Sequence, residues 1–124
     1  MRKIRKRIQK GRCEKKKVSK CQEICKMYDK VQTACLDFLS RQEDIAEIQC
    51  NVFLDGLDEV MEYTTDFVCK KANGDLLVME CVYRKNLSRP SVSLLLEKSQ
   101  QFWINRGVLD WKVVVEKEDA NEEE

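Results

Sequence analysis

The sequence predicts an α/β fold: a central mixed β-sheet of about four strands flanked by helices, behind a long basic N-terminal helix or arm. Three observations carry this. Apolar side chains recur at helical spacing from Ile24 to Leu39, two apolar runs flank an Asn73-Gly74 turn, and "VSLLLEKSQQFWINRG" joins a second helical pattern to a strand at "DWKVVVEK". At 124 residues, with 43% hydrophobic and 36% charged side chains, the chain has material for one domain with a single modest core. The division read from it is a basic arm at 1–20, a folded domain at 21–118 and an acidic disordered tail at 119–124.

Taken in order, Ile24, Met27, Tyr28, Val31, Cys35, Phe38 and Leu39 lie three and four apart, which predicts a helix from Cys21 to Leu39 that stops near Ser40-Arg41. "DIAEIQCNVFLD" then offers Ile45 and Ile48, followed by Val52-Phe53-Leu54, a short apolar run that suits a strand, and a turn at Asp55-Gly56. Glu43, Asp44 and Glu47 read as a solvated helix end or loop. Asp55, Asp58, Glu59 and Glu62 make an acidic loop whose spacing does not match a calcium loop. Strands follow near Tyr63 to Lys70 and Leu76 to Tyr83, joined by "KANGD", a hairpin signal. In the second of these, Leu76, Val78, Glu80 and Val82 share one side and Leu77, Met79, Cys81 and Tyr83 the other. Both faces therefore look buried, and Glu80 is the one charge in the run. After the loop "KNLSRPSVS", Ser91 serves as N-cap or its neighbour for a helix closed by Gly107, with Leu95, Leu96, Phe102 and Trp103 on its inner face. A last strand runs from Trp111 to Val115. Both tryptophans follow these patterns and read as core and sheet cover rather than base-stacking platforms.

The formal net charge of +1 hides an asymmetry. Residues 1–20 hold 11 Lys or Arg against the single Glu14, while the other 104 carry 12 against 21 acids, a net charge of −9. Arg2, Lys3, Arg5, Lys6, Arg7, Lys10, Arg12, Lys15, Lys16 and Lys17 can together neutralise several phosphates, which points to DNA as partner. A solvated tail, or an arm for an acidic protein, is the other reading of that segment. There is no run of about 18 apolar residues and no signal-peptide core, so the expectation is a cytoplasmic protein without membrane contact.

Seven cysteines, an odd number at irregular spacing, argue for reduced packing thiols rather than disulfides. Cys13, Cys21 and Cys25 fall near one another, but the chain has neither a C-x-x-C pair nor a histidine to complete a usual zinc set. Without histidine, the usual base for a serine or cysteine nucleophile is also missing.

Two acids interrupt the hairpin strands, Asp66 and Glu80, and the turn decides whether they can cooperate. A two-residue Asn73-Gly74 loop pairs Asp66 with Cys81 and separates the acids. A three-residue Ala72-Asn73-Gly74 loop, with Gly74 left-handed, sets Asp66 across from Glu80, Cβ atoms ~5 Å apart. Hairpin chemistry alone admits both. Paired, two such carboxylates invite a divalent cation, and Mg²⁺ (or Mn²⁺) has the matching preference for oxygen. Such an ion could activate water for phosphodiester cleavage.

"KRIQKGR", "IAEIQ", "YTTDF", "LLVMEC" and above all "EKSQQFWINRGVLDWKVVVEK" resemble the PD-(D/E)xK, restriction-endonuclease-like nuclease core, and within it the TnsA-type transposon-end endonucleases, over about residues 4 to 118. The resemblance implies metal binding by Asp66 and Glu80. It places the third acid of the family on Gln32, with Asp29 a helical turn earlier, and the motif lysine on Val82. Arg84, with Lys85 beside it, is the nearest replacement for that charge, able to clamp a phosphate but, as arginine, not to act as a base. The implied function is a Mg²⁺-dependent DNA endonuclease of a mobile element or phage. The alternative is a catalytically inactive nuclease-fold DNA-binding or assembly subunit. TnsA-type proteins commonly continue into a winged-helix-like domain associated with the transposition ATPase, and the resemblance does not extend to one here. A transposase, another nuclease subunit or a phage protein is the expected partner, or a second copy of the chain as a homodimer.

Overall fold

Gly74 settles the register of the hairpin. In the computed structural model it sits at φ +94, its N–H bonds to the Lys71 carbonyl at 2.9 Å, and the Lys71 N–H bonds to the Asp75 carbonyl at 2.8 Å. The loop is therefore the three-residue one, Ala72-Asn73-Gly74, and Phe67 pairs with Met79, Val68 with Val78 and Cys69 with Leu77. A Cβ at 74 would meet no neighbour, so the constraint on that position is the backbone angle.

The structure describes Ile4–Arg5, residues 13–54 and residues 61–117, with the backbone alone at 4, 5, 61 and 62. Its elements run β1 (Ile4–Arg5), β2 (Glu14–Lys16), β3 (Cys25–Met27), α1 (Lys30–Ser40), β4 (Ile45–Phe53), β5 (Met61–Glu62), β6 (Thr64–Lys71), β7 (Leu76–Cys81), a 3₁₀ turn (Arg84–Asn86), α2 (Pro90–Ile104) and β8 (Asp110–Val114). The main sheet has the order β4-β6-β7-β8, antiparallel except for the parallel pair β7 and β8 that α2 connects. This is the predicted α/β architecture with a mixed four-stranded sheet between helices.

α1 and α2 cover opposite faces. On one side Val31, Cys35, Leu36 and Leu39 of α1 and Cys25 and Met27 of β3 pack on Ile45, Ile48, Phe67, Cys69, Leu77, Met79 and Cys81. On the other, Leu95 and Trp103 of α2 pack with Leu54, Tyr63, Val68, Val78 and Val108. A sheet buried on both faces explains why β6 and β7 read as nearly continuous apolar runs.

Several boundaries differ from the sequence expectation, each for a local reason. The first helix begins at Lys30, not Cys21. Asp29 adopts an extended conformation (φ −151, ψ 173) and its Oδ1 accepts the Gln32 N–H at 2.8 Å, the signature of an N-cap. Ahead of it, Cys25 and Met27 are buried around exposed Lys26, a period of two that the three-and-four spacing of the same stretch concealed. The first strand of the main sheet begins at Ile45, well before Val52. Ile45 and Ile48 are an odd number of residues apart, yet both are buried, because a bulge between Ile45 and Glu47 inserts one residue and restores them to one face. Glu47 thus lies in a strand, exposed. The second helix is entered through Pro90 at its first position with Arg89, not Ser91, as N-cap. Gly107, at φ +82, closes the turn after it and bonds to the Ile104 carbonyl at 2.9 Å.

The described parts of the basic segment are extended rather than helical: β1 pairs parallel with β5, and β2 pairs antiparallel with β3. The Asp55-Gly56 turn, the acids Asp55, Asp58 and Glu59, and the tail 119–124 lie outside the described residues, as do Arg2, Lys3, Lys6, Arg7, Lys10 and Arg12. Among the described residues, no helix is long and apolar enough to cross a membrane.

Candidate functional site

Asp66 and Glu80 meet where the ladder between β6 and β7 ends. Both are fully buried. The three-residue register brings them together: the Asp66 backbone N–H donates to Glu80 Oε1 at 3.1 Å. The other carboxylate oxygens are engaged too. Glu80 Oε2 accepts the Ser99 hydroxyl at 2.6 Å, Asp66 Oδ2 accepts the Cys81 N–H at 2.7 Å, and Asp66 Oδ1 accepts from Gln32 Nε2 at 3.2 Å.

Gln32 reaches the pair from α1, and its orientation is over-determined. Its Oε1 accepts the Tyr28 N–H at 2.8 Å, and its Nε2 also donates to Asn51 Oδ1 at 2.7 Å. Asn51 is in turn held by its own Nδ2, which donates to the Lys26 carbonyl at 2.6 Å. Asn51 is the one described non-glycine residue at positive φ, +55, and it sits in β4 between Cys50 and Val52. That is a backbone conformation asparagine tolerates better than most. The amide of Gln32 therefore turns its N–H, not its carbonyl, towards Asp66.

On the α2 side, Ser99 sits between Leu95 and Trp103 on the buried stripe of the helix. Its oxygen accepts the Trp111 Nε1–H at 3.1 Å while its hydroxyl donates to Glu80. Trp103 Nε1 donates to Thr65 Oγ1 at 3.2 Å, so each indole N–H is anchored beside the acids rather than offered to a base. Tyr63 completes the wall. Burial, then the charges of Glu80 and Asp66, push its phenol well above the usual tyrosine range, so it stays protonated at neutral pH.

Asp66 and Glu80 from the hairpin and Gln32 from the resemblance lie together in the structure, joined by Ser99, Asn51 and Tyr63, which the sequence reading did not single out. A signal existed for Ser99, a polar residue four from Leu95 and four from Trp103 at a core position of the helix. Arg84 and Lys85 are exposed and turned elsewhere. The Arg84 N–H and Nε bond to Glu116 Oε1 and the Glu116 carbonyl at 2.7 and 3.0 Å, and Lys85 Nζ lies 5.7 Å from the Tyr83 ring centroid. Val82 is buried, with its N–H on the Val114 carbonyl at 2.9 Å.

These residues, as arranged, do not fit Mg²⁺. The ion takes about six oxygens at ~2.1 Å and keeps several waters. Here the two carboxylates are shut from solvent, each oxygen already accepts an N–H or O–H, and the third position presents a donor where a metal needs an acceptor.

Ser99→Ala should be costly for this reason. It removes the hydroxyl from a buried carboxylate and leaves Trp111 Nε1 without its acceptor, so a loss of about 2–3 kcal/mol in unfolding free energy is expected from urea titration. Ser99→Thr, which keeps the hydroxyl, should lose less.

Of the basic residues, Lys15 and Lys17 are exposed, and Lys16 is ion-paired with Glu14 at 2.7 Å. The chain matches no protein-family model and no curated protein.

Proposed function

We propose that the chain is a DNA-binding or assembly subunit built on a restriction-endonuclease-like core whose hydrolytic site is silent. The order helix, three antiparallel strands, helix, parallel fourth strand is in keeping with that core, and Asp66 and Glu80 occupy the strand positions that the resemblance to TnsA-type endonucleases implies. The observation that carries the proposal is the Gln32 amide. Its N–H donates to Asp66, so a neutral donor stands where a metal ligand would have to present an oxygen. With Val82 in the place of the motif lysine, the site retains its acids as a buried, hydrogen-bonded joint between α1, the sheet and α2. The basic segment then supplies the DNA contacts, and a partner, such as a transposase, another nuclease subunit or a phage protein, supplies the cut.

A second reading, a Mg²⁺- or Mn²⁺-dependent endodeoxyribonuclease acting alone or as a homodimer, is favoured by one observation: the register that sets Asp66 against Glu80. It requires Gln32 to turn its carbonyl inward and Arg84 or Lys85 to leave its present partner.

Supercoiled and branched DNA incubated with purified protein and either ion distinguishes the two. The silent subunit binds in a salt-sensitive manner and cuts nothing, whereas cutting that Asp66→Ala abolishes would establish the nuclease. Restoring both departures, Gln32→Glu with Val82→Lys, tests whether the scaffold can still be made to cut.

A further inference from the structure

Two cysteines four residues apart and a third from β4 converge near the network that holds Gln32. The Sγ atoms of Cys21, Cys25 and Cys50 all lie within 4.8 Å of one another. Cys21 belongs to the turn before β3, Cys25 opens β3 and Cys50 lies in β4. Cys13, which the sequence suggested as the third member, is replaced by Cys50, a residue the chain brings in by sheet formation. Disulfides are absent among the described residues, and all of these thiols are free.

We propose that Cys21, Cys25 and Cys50 form a three-thiolate site for a soft metal ion, zinc being the ion the geometry suits. Tetrahedral zinc with Zn–S bonds of ~2.3 Å needs its sulfurs ~3.8 Å apart, inside the spread found here. The Cys25 to Cys21 pair, at 2.9 Å, has only to open by about 0.9 Å. The backbone around the sulfurs is already pinned. Ile48 N–H bonds to the Lys20 carbonyl at 3.0 Å on one side, and Asn51 Nδ2 bonds to the Lys26 carbonyl on the other, so the ion finds its ligands held rather than having to gather them. Cys25 is buried, while Cys21 and Cys50 are half-buried and line a cavity of about 340 Å³ together with Glu23 and Glu47. The fourth coordination position faces that cavity and takes water, a carboxylate or an external ligand.

Binding replaces thiol protons by the ion. Uptake of Zn²⁺ by thiols releases protons, so affinity rises with pH. The ion would fasten the segment carrying Lys15 to Lys17 onto β4, one residue from Asn51.

The test uses the full chain, reduced and stripped of metal. Zinc titration should end at one ion per chain, with proton release seen as a heat that depends on the buffer, and should raise the melting temperature by more than about 5 °C. Cobalt(II) should give the thiolate-to-metal charge-transfer absorption of three sulfurs. Cys21→Ser and Cys50→Ser should each weaken binding at least tenfold, and Cys13→Ser should leave it unchanged. If the serine variants do not fold, the cobalt spectrum and the proton count of the unmutated chain decide. No retained ion, a cobalt spectrum without thiolate bands, or a disulfide in the purified chain would overturn the site.

Discussion

Gln32→Glu should destabilise the metal-free protein at neutral pH by about 3–5 kcal/mol, an effect that a divalent cation can reverse. The substitution is nearly isosteric, but it removes the N–H that donates to Asp66 and to Asn51 and puts a third carboxylate beside two fully buried ones. Tyr28 N–H can still donate to the new side chain, which keeps one bond while two are removed. The position responds by taking up a proton, by unfolding, or by recruiting a cation, and these are separable. A proton gives stability that improves as pH falls towards about 4–5, where a glutamate titrates. A cation gives a melting temperature that climbs with Mg²⁺ or Mn²⁺ concentration in the variant and stays flat in the parent. A flat response in both, with a loss under 1 kcal/mol, would show that the Gln32 amide is not what neutralises the acids.

How much of this was legible beforehand depended on whether the relevant contact was local. The hairpin, the second helix and the last strand follow from spacing and turn residues, because each is stabilised by neighbours a few positions away. The pairing of Asp66 with Glu80 could be reduced to two alternatives by parity, and the bond from the Lys71 N–H to the Asp75 carbonyl chose between them. Features set by distant partners were concealed. Cys25 and Met27 fit a helix and a strand equally well until β2 paired with β3. The bulge before Glu47 broke the alternation by which β4 would have been recognised. Asn51, Ser99 and the meeting of Cys50 with Cys21 and Cys25 depend on residues 19 to 29 positions away, beyond any periodic window. The resemblance supplied what periodicity could not, a reason to look at Gln32, and in the structure that side chain donates to Asp66 rather than presenting it an oxygen.

DNA binding should weaken by about 10³–10⁵-fold between 50 and 200 mM salt if the basic segment neutralises roughly 6–10 phosphates. A net charge of +1 gives no such dependence by itself; the effect needs the 11 basic side chains of residues 1–20 to act apart from a remainder at −9. That remainder repels the duplex, so the protein should approach DNA by this segment and no other face. Deleting residues 1–20 is a poor test, because Ile4–Arg5 pairs with β5 and Glu14–Lys16 pairs with β3, and the deletion would remove structure along with charge. Neutralisation is cleaner. Arg2, Lys3, Lys6, Lys10, Lys15 and Lys17 changed to glutamine should reduce the slope of log affinity against log salt by about 0.9 for each phosphate no longer neutralised, with the melting temperature held. Affinity should fall alike for all duplex sequences, since contacts of this kind position a protein without reading bases. An unchanged slope in the neutralised protein would assign the segment to a protein partner instead, and with it the proposal that this chain engages DNA directly would fail.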